Sequence, residues 1–213
     1  MTTPPRSAAA RASVEQESPV VPPPPRFIPP RRFALFPHIL EHAVDLACDQ
    51  HGCVALNRCI TELDDPYCRI FFLYAVVVNA LPFSYHAYGN FVVQHVLDLN
   101  DLQCTRNIAV NLRGHCVELS FERYGSYIME KLLDTKESMV VVVEELLKCE
   151  GGRLVRLARG TYGNFVVYKA LKVAQAEIAT RDDLFWGLVN KLKPFRDLLG
   201  ASYTIATFLD SID

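Results

Sequence analysis

The stretch that decides the fold is YGNFVVQHVL, residues 88–97, because related copies of it occur three more times along the chain. The copies are HGCVALNRCI (51–60), YGSYIMEKLL (124–133) and YGNFVVYKAL (162–171). Each has a tyrosine or histidine before a glycine, a small or polar residue after it, and then an apolar run with a polar residue at a fixed place. These segments therefore predict one structural unit that the chain repeats.

The copies follow one another at a nearly constant interval. Successive glycines are 37, 36 and 38 residues apart, and a worn copy, ASYTIATFLD (201–210), has Ser202 in the glycine place 39 residues further on. A fixed period of about 20–50 residues is typical of stacked repeat proteins. The repeated glycines are Gly52, Gly89, Gly125 and Gly163.

Amphipathic sequence fills the intervals between these segments. FPHILEHAVDLACDQ (36–50) and CTRNIAVNLRGHCVELSFER (104–123) have apolar residues at three- and four-residue spacing, which favours helix. The β-branched run at 140–143 continues into the helical pattern EELLKCE. One period is thus predicted to be two helices or slightly more, joined at a glycine that adopts positive φ or allows a close approach. We expect an all-α solenoid.

Residues 1–32 have a different composition. They include PVVPPPPRFIPPRR (19–32), hold most of the thirteen prolines and carry a charge of +3, which leaves −5 for the rest of a chain whose net charge is −2. Proline disfavours helix, so we predict a disordered or polyproline-II tail over 1–32 and a repeat domain over 33–213. An organelle transit peptide is the alternative interpretation of this basic segment.

Overall composition restricts the classes of function. Half of the residues are hydrophobic and 22% are charged, as in a globular domain. The slightly negative net charge excludes a protein that binds phosphates over its whole surface, so a nucleic-acid site has to be local. The longest apolar run, 70–80, is about half of a membrane span, and no secretory signal is recognisable in 1–32. We expect no membrane association.

Cysteine usage points to a reduced, intracellular protein. Seven cysteines is an odd number, and the chain is long for a disulfide framework. The group Cys48, His51, Cys53 and Cys59 has the spacing of no strong zinc motif, so we predict no metal. Neither a phosphate-binding glycine loop nor a nucleophile motif is present, and we therefore expect no cofactor and no enzymatic activity.

The segment YGNFVVQHVL places three side chains on one side of a helix. At about 100° per residue, Asn90 and Gln94 lie near 0° and 40° and Phe91 near 100°, whereas the valines and the leucine form the opposite stripe. Asn and Gln at i and i+4 can together satisfy the edge of one base, and an aromatic ring can stack on it. This face predicts contact with single-stranded nucleic acid.

The other copies vary these three places within the same frame. A constant frame with variable polar side chains is what a base-by-base reader needs, and aromatic stacking adds roughly 1–3 kcal/mol per base. The corresponding sets are Cys53, Val54 and Asn57; Ser126, Tyr127 and Glu130; and Asn164, Phe165 and Tyr168.

With these motifs the chain resembles the C-terminal half of the RNA-binding domain of the Pumilio (PUF) family, over about residues 36–213, as a divergent, plant-like member. The resemblance implies a right-handed α-solenoid of three-helix repeats, here about four repeats and a degenerate C-terminal one. It also implies that the concave face binds RNA antiparallel to the chain. In that family the first and fifth residues of each recognition helix contact the base edge, and the second stacks on the base.

The family code transfers only where residues match. Asn90 with Gln94 matches the uracil pair, and Ser126 with Glu130 matches the guanine pair. The pair Cys53/Asn57 departs from the Cys/Gln pair for adenine, and Asn164/Tyr168 departs from Asn/Gln. The implied target is 5′-(U)-G-U-(A), with the bracketed bases weakly specified. The stacking residues implied are Phe91, Tyr127, Phe165 and Val54, of which the valine would stack poorly.

A fourth position follows each base-edge residue at the border of the face. Its occupants could line the RNA groove and contact the phosphate or ribose, or be solvated. They are Arg58, His95, Lys131 and Lys169.

The resemblance implies a monomeric cytoplasmic regulator that binds 3′ untranslated regions of mRNA and lowers translation or stability with protein co-regulators. Two alternatives stay open. One is a protein-interaction solenoid whose RNA face has eroded, and the other is a nucleolar family member that acts in ribosomal RNA processing. The in-phase polar pairs at 90/94 and 126/130 favour the RNA-binding reading.

Overall fold

The computed structural model describes residues 42–62, 64–201 and 203–212. Across these ranges the regular structure is helical, without strands. In chain order the helices are α1 (Ala43–Ala47), α2 (Gly52–Glu62), α3 (Pro66–Val78), α4 (Ala80–Tyr85), α5 (Gly89–Asp98), α6 (Leu102–Asn111), α7 (Cys116–Phe121), α8 (Arg123–Leu132), α9 (Lys136–Lys148), α10 (Gly151–Arg159), α11 (Gly163–Ala176), α12 (Ile178–Leu192), a 3-10 helix (Lys193–Ala201) and α13 (Tyr203–Asp210).

These helices form four repeats of three, from α1–α3 to α10–α12, followed by the 3-10 helix and α13. The second helices of the repeats, α2, α5, α8 and α11, lie side by side in one row, and α13 continues the row. The third helices α3, α6, α9 and α12 form a parallel outer row. The predicted all-α solenoid is confirmed, and each period holds three helices rather than two or slightly more. The predicted tail and the start of the domain at residue 33 lie outside the described residues, as does Ser202.

Each second helix buries its predicted apolar stripe. In α5, Val92, Val93 and Val96 are fully buried, and in α11 Val166 and Val167 are as well. Each such side chain contributes roughly 1.5–3 kcal/mol by leaving water. The opposite side of the same helices stays accessible, and this fixes which residues can meet a ligand.

The repeated glycines allow a close approach between the first and second helices. A Cβ on Gly52 would lie 2.5 Å from the carbonyl oxygen of Leu46, and one on Gly125 would lie 2.5 Å from that of Leu119. The expected alternative, positive φ at these glycines, is wrong: within the described ranges positive φ occurs at Asn100 and Gly114. The glycine is required because the two backbones touch there.

Aspartate caps begin two of the third helices. The Asp65 carboxylate accepts from the backbone N–H of Tyr67 (2.9 Å) and of Cys68, ahead of α3 with Pro66 in its first turn. Asp101 likewise accepts from Cys104 N (2.9 Å) at the start of α6. Such caps satisfy orphan donors and stabilise a helix by about 1 kcal/mol.

All seven cysteines are free, and four of them are buried. Burial raises the pKa of the Cys104 thiol to about 12, and that of Cys116 is raised as well, so neither is a ready nucleophile. Over the described ranges no His, Cys, Asp and Glu residues cluster as a metal site. No helix within those ranges is long and apolar enough to cross a membrane.

Candidate functional site

The first position of each set anchors its own helix. All four side chains donate a hydrogen bond to a main-chain carbonyl three or four residues earlier. The bonds are Cys53 Sγ to Gln50 O (3.3 Å), Asn90 Nδ2 to His86 O (2.8 Å) and Ala87 O (2.9 Å), Ser126 Oγ to Arg123 O (3.0 Å), and Asn164 Nδ2 to Gly160 O (2.7 Å) and Thr161 O (2.9 Å). Because each side chain donates inward, the group that it can still offer the open face is an acceptor.

These first-position residues are more enclosed than the sequence suggested. Cys53, Asn90 and Ser126 are only 3%, 1% and 2% exposed, whereas Asn164 is half-buried. Small polar residues suit this place because they both satisfy the turn carbonyls and leave room at the helix start. In the first three repeats the fifth-position side chain is therefore the more accessible of the two polar positions.

The second position presents the large apolar side chains of the face. Val54, Phe91, Tyr127 and Phe165 are 59%, 52%, 47% and 57% exposed. Three exposed aromatic rings, one on each of three adjacent helices, are unusual for a solvated surface and suit stacking on successive planar groups. The structure thus brings the four predicted stacking residues into one row.

In α5 the first and fifth positions are joined. Gln94 Nε2 donates to Asn90 Oδ1 at 2.8 Å, while both N–H groups of Asn90 are taken by main-chain carbonyls. The amide of Gln94 is therefore oriented by a side chain that is itself fixed. It retains one acceptor and one N–H donor for a ligand.

In α8 the fifth position is a half-buried carboxylate. Burial raises the pKa of Glu130 above its ordinary range, and the nearby Asp134 raises it further, whereas Lys169 on α11 opposes both effects. When ionised, Glu130 offers two acceptors and no donor. Its chemistry is thus distinct from that of Gln94 one helix earlier.

The fifth positions at the two ends of the row are occupied differently. Asn57 has a buried Oδ1 with no partner among the described residues. Tyr168 packs edge to face on Phe208 of α13, with ring centroids 6.0 Å apart and planes at 87°. Lys172 Nζ lies 5.5 Å from the centroid of the Tyr168 ring. These two positions do not form a hydrogen-bonded pair with their first-position partners in the manner of α5.

The border side chains are held by neighbouring helices. His95 Nε2 lies 2.8 Å from Thr61 Oγ1, Lys131 Nζ lies 2.5 Å from Asp98, and Lys169 Nζ lies 2.7 Å from Asp134. In each case the partner belongs to the preceding second helix or the turn after it. Arg58 instead pairs with Glu62 of its own helix at 3.2 Å. Phosphate or ribose contact of these side chains stays a prediction, and three of them link neighbouring repeats.

The partners of those links were missed at the sequence level. Thr61, Asp98 and Asp134 each lie nine residues after the glycine of their repeat. Their recurrence in phase was visible, and Asp98 and Asp134 have the opposite charge to Lys131 and Lys169 at the border position of the next repeat. The signal becomes meaningful only when the helices are known to stack side by side.

Comparisons with known proteins agree with this architecture. The model of the Pumilio-family RNA binding repeat matches residues 42–73, 79–109, 115–147 and 153–180. Putative pumilio homolog 19 and Pumilio homolog 18 of Arabidopsis thaliana are each 62% identical over 180 residues, which are 84% of this chain and 54% of theirs. The chain thus spans about half the length of these curated relatives.

Solved structures support the same fold. The Puf4 RNA binding domain bound to the HO endonuclease RNA 3′ UTR recognition sequence matches with a TM-score of 0.65 and 24% identity, over 76% of this chain and 50% of that one. PUF-8 in complex with PBE-RNA matches with a TM-score of 0.70 and 19% identity, over 84% and 53%. At these identities the likeness establishes the fold alone. Together with the matched repeats, it shows that the chain belongs to the Pumilio family of RNA-binding repeat proteins.

Proposed function

We propose that this protein binds single-stranded RNA in a sequence-specific manner through the open face of its second helices. The observation that carries the proposal is the row of exposed rings, Phe91, Tyr127 and Phe165, each beside a polar fifth-position side chain. Stacked rings hold bases of any identity, and the polar groups then select among them.

The selection at α5 and α8 follows from hydrogen-bond chemistry. Gln94 retains one donor and one acceptor after bonding to Asn90, which complements the N3–H and a carbonyl oxygen of uracil. Glu130 has two acceptors, which complement the N1–H and N2–H donors of guanine. With the antiparallel orientation of the family, these two repeats would read the central GU of a UGUA-like core.

The proposed biological role is post-transcriptional. The Puf4 RNA binding domain, whose fold this chain shares, is bound to an RNA 3′ UTR recognition sequence. By extension, we propose that this chain binds mRNA 3′ untranslated regions in the cytoplasm as a monomer, and that it lowers translation or mRNA stability by recruiting protein co-regulators. Catalysis has no part in this role.

A titration of the full chain with short RNAs tests the binding proposal. UGUA should bind more tightly than UCUA, by roughly 1–3 kcal/mol for the guanine contact. Glu130→Gln should remove most of this preference, because an amide replaces one of the two acceptors with a donor. Equal affinity of the unaltered protein for the two RNAs, or binding to neither, would refute the proposal.

A further inference from the structure

The second helices α5 and α11 begin with the same residues and differ at the fifth position. Both contain YGNFVV, so both have an asparagine at the first position and a phenylalanine at the second. Asn90 and Asn164 make the same pair of bonds to main-chain carbonyls. The two repeats thus form a matched pair in which Gln94 is exchanged for Tyr168.

The side chain of Tyr168 is engaged on the side away from α8. Its ring meets Phe208 of α13 edge to face, and the ammonium of Lys172, one turn further along α11, lies 5.5 Å from the ring centroid. Tyr168 is half-buried and packs against the hydrophobic core at the C-terminal end of the row. A ring that contacts both a neighbouring helix and a cation is not free to move into hydrogen-bonding distance of a base edge.

The first position of α11 cannot replace the missing amide. Both N–H groups of Asn164 are used by Gly160 O and Thr161 O, so the side chain offers an acceptor but no donor. All four bases carry at least one N–H on their pairing edge, so a single hydrogen-bond acceptor discriminates poorly among them. Phe165 is meanwhile 57% exposed, and stacking accepts every base.

We propose that the α11 repeat holds its nucleotide by stacking on Phe165 with little discrimination among the four bases, and that the packing of Tyr168 on Phe208 sets this tolerance. The inference rests on the proposed RNA binding and specifies it. The 5′ position of the target is then a required nucleotide of any identity, and the readable core starts at guanine.

The test titrates the full chain with UGUA, CGUA, AGUA and GGUA, and with UCUA as the reference for guanine reading. The four 5′ variants should bind within about threefold of one another, and removing the 5′ base to leave an abasic site should weaken binding clearly. A tenfold or greater preference for one 5′ base, or no loss on base removal, would overturn the inference. Loss of discrimination between UGUA and UCUA would instead contradict the proposed function, so the two failures are distinguishable.

Two substitutions of Tyr168 separate the effect of its ring packing from the effect of a hydrogen-bonding group at the base edge. Tyr168→Gln should create a preference for uracil at the 5′ position of roughly tenfold, because the new amide can bond Asn164 Oδ1 as Gln94 bonds Asn90. Tyr168→Phe keeps the ring on Phe208 and should leave the tolerance unchanged. A preference that appears with phenylalanine would show that the hydroxyl had been suppressing discrimination, and would contradict the assignment to ring packing. Retained guanine preference in both variants confirms that the array is folded.

Discussion

The helices α5 and α8 are neighbours in one row, yet they prepare their polar groups in opposite ways. In α5 a buried asparagine orients Gln94 through a 2.8 Å hydrogen bond. In α8 the hydroxyl of Ser126 donates to the turn behind it, and the pKa of Glu130 is shifted first by burial and then by the charges of Lys169 and Asp134. One site is set by geometry within a repeat, and the other by electrostatics across two repeats.

This difference implies different vulnerabilities. A neutral, hydrogen-bonded amide keeps its donor and acceptor pattern across the whole pH range, but it fails if its partner is removed. A carboxylate has two equivalent acceptor oxygens and needs no partner to orient them, but it accepts at both only while it is ionised. The following predictions separate the two mechanisms, in order of decreasing expected effect.

The largest effect should come from placing the α8 chemistry in α5. Gln94→Glu alone puts a carboxylate against Asn90 Oδ1, which is itself an acceptor. The N–H groups of Asn90 are already used by main-chain carbonyls and cannot donate to the new carboxylate, so uracil binding should weaken by roughly 1–3 kcal/mol. The double change Asn90→Ser with Gln94→Glu removes that acceptor conflict and should shift the preference from UGUA to UGGA. Titration with both RNAs measures the shift. A single variant that prefers guanine as strongly as the double one would show that Asn90 does not orient residue 94.

Removing the anchoring asparagine should affect α5 more than α11. Asn90→Ala deletes two main-chain bonds and the bond to Gln94, each contributing about 0.5–1.5 kcal/mol to stability, and uracil discrimination should fall with it. Asn164→Ala is the matched control, because it deletes the same two main-chain bonds without a side-chain partner.

The readouts are urea unfolding and titration with UGUA and UGCA. We expect both variants to lose stability and only Asn90→Ala to lose the preference for uracil at the third base. Equal loss of this preference in the two variants would remove the orienting bond from the mechanism.

Acid should weaken guanine reading before uracil reading. The pKa of Glu130 is raised by burial, so the carboxylate takes up a proton at a higher pH than an ordinary glutamate does. Since guanine needs both acceptors, the UGUA preference over UCUA should fall as the pH is lowered, and it should do so at a higher pH than the protonation of an ordinary glutamate would give. Lys169→Met removes the opposing cation and should move this loss to higher pH.

The uracil preference at the third base is the internal control, because Gln94 does not titrate.

The raised pKa of Glu130 also affects folding. The buried carboxylate opposes folding above its raised pKa and ceases to do so below its ordinary value, so Glu130→Gln should raise the Tm at neutral pH. A lowered Tm would show that the carboxylate stabilises the fold.

The smallest effect should come from the carboxylate partners of the border lysines. Asp98→Asn frees Lys131 from an ion pair in which the lysine is 28% and the aspartate 59% exposed, so stability should change by about 1 kcal/mol or less. If Lys131 then contacts a phosphate, the salt dependence of RNA binding should steepen by about one unit of slope. Asp134→Asn should steepen the slope similarly and also lower the pKa of Glu130, so its acid sensitivity should decrease. An unchanged salt slope in both variants would exclude these lysines from phosphate contact.

The repeating frame and the open face were predictable from sequence because both are periodic. The glycine interval placed the helices, and the three-residue pattern identified the exposed rings at Phe91, Tyr127 and Phe165. The reason for the glycine was only half predicted. Positive φ and close approach give the same residue preference, and only coordinates show that Leu46 and Leu119 leave no space for a Cβ.

Contacts that reach beyond a single helix were not predictable from its sequence pattern. A helical wheel shows one helix at a time, so it assigned Asn90 to the open face and left the border side chains unpaired. The wheel does not show that the Asn90 side chain donates its hydrogen bonds to turn carbonyls, or that Asp98 forms an ion pair with Lys131. The engagement of Tyr168 by Phe208 likewise depends on α13, a segment whose glycine place is a serine.

The links from Asp98 to Lys131 and from Asp134 to Lys169 have a consequence for engineering the array. A repeat moved to another position keeps its own border lysine and its own carboxylate. It loses the carboxylate of the preceding repeat and the lysine of the following repeat, with which they had paired. The transferable unit is therefore the junction between two second helices rather than the period counted from glycine to glycine. A cut within a third helix such as α6 separates Asp98 from Lys131, so a chimeric array joined there has to supply both partners of the junction again.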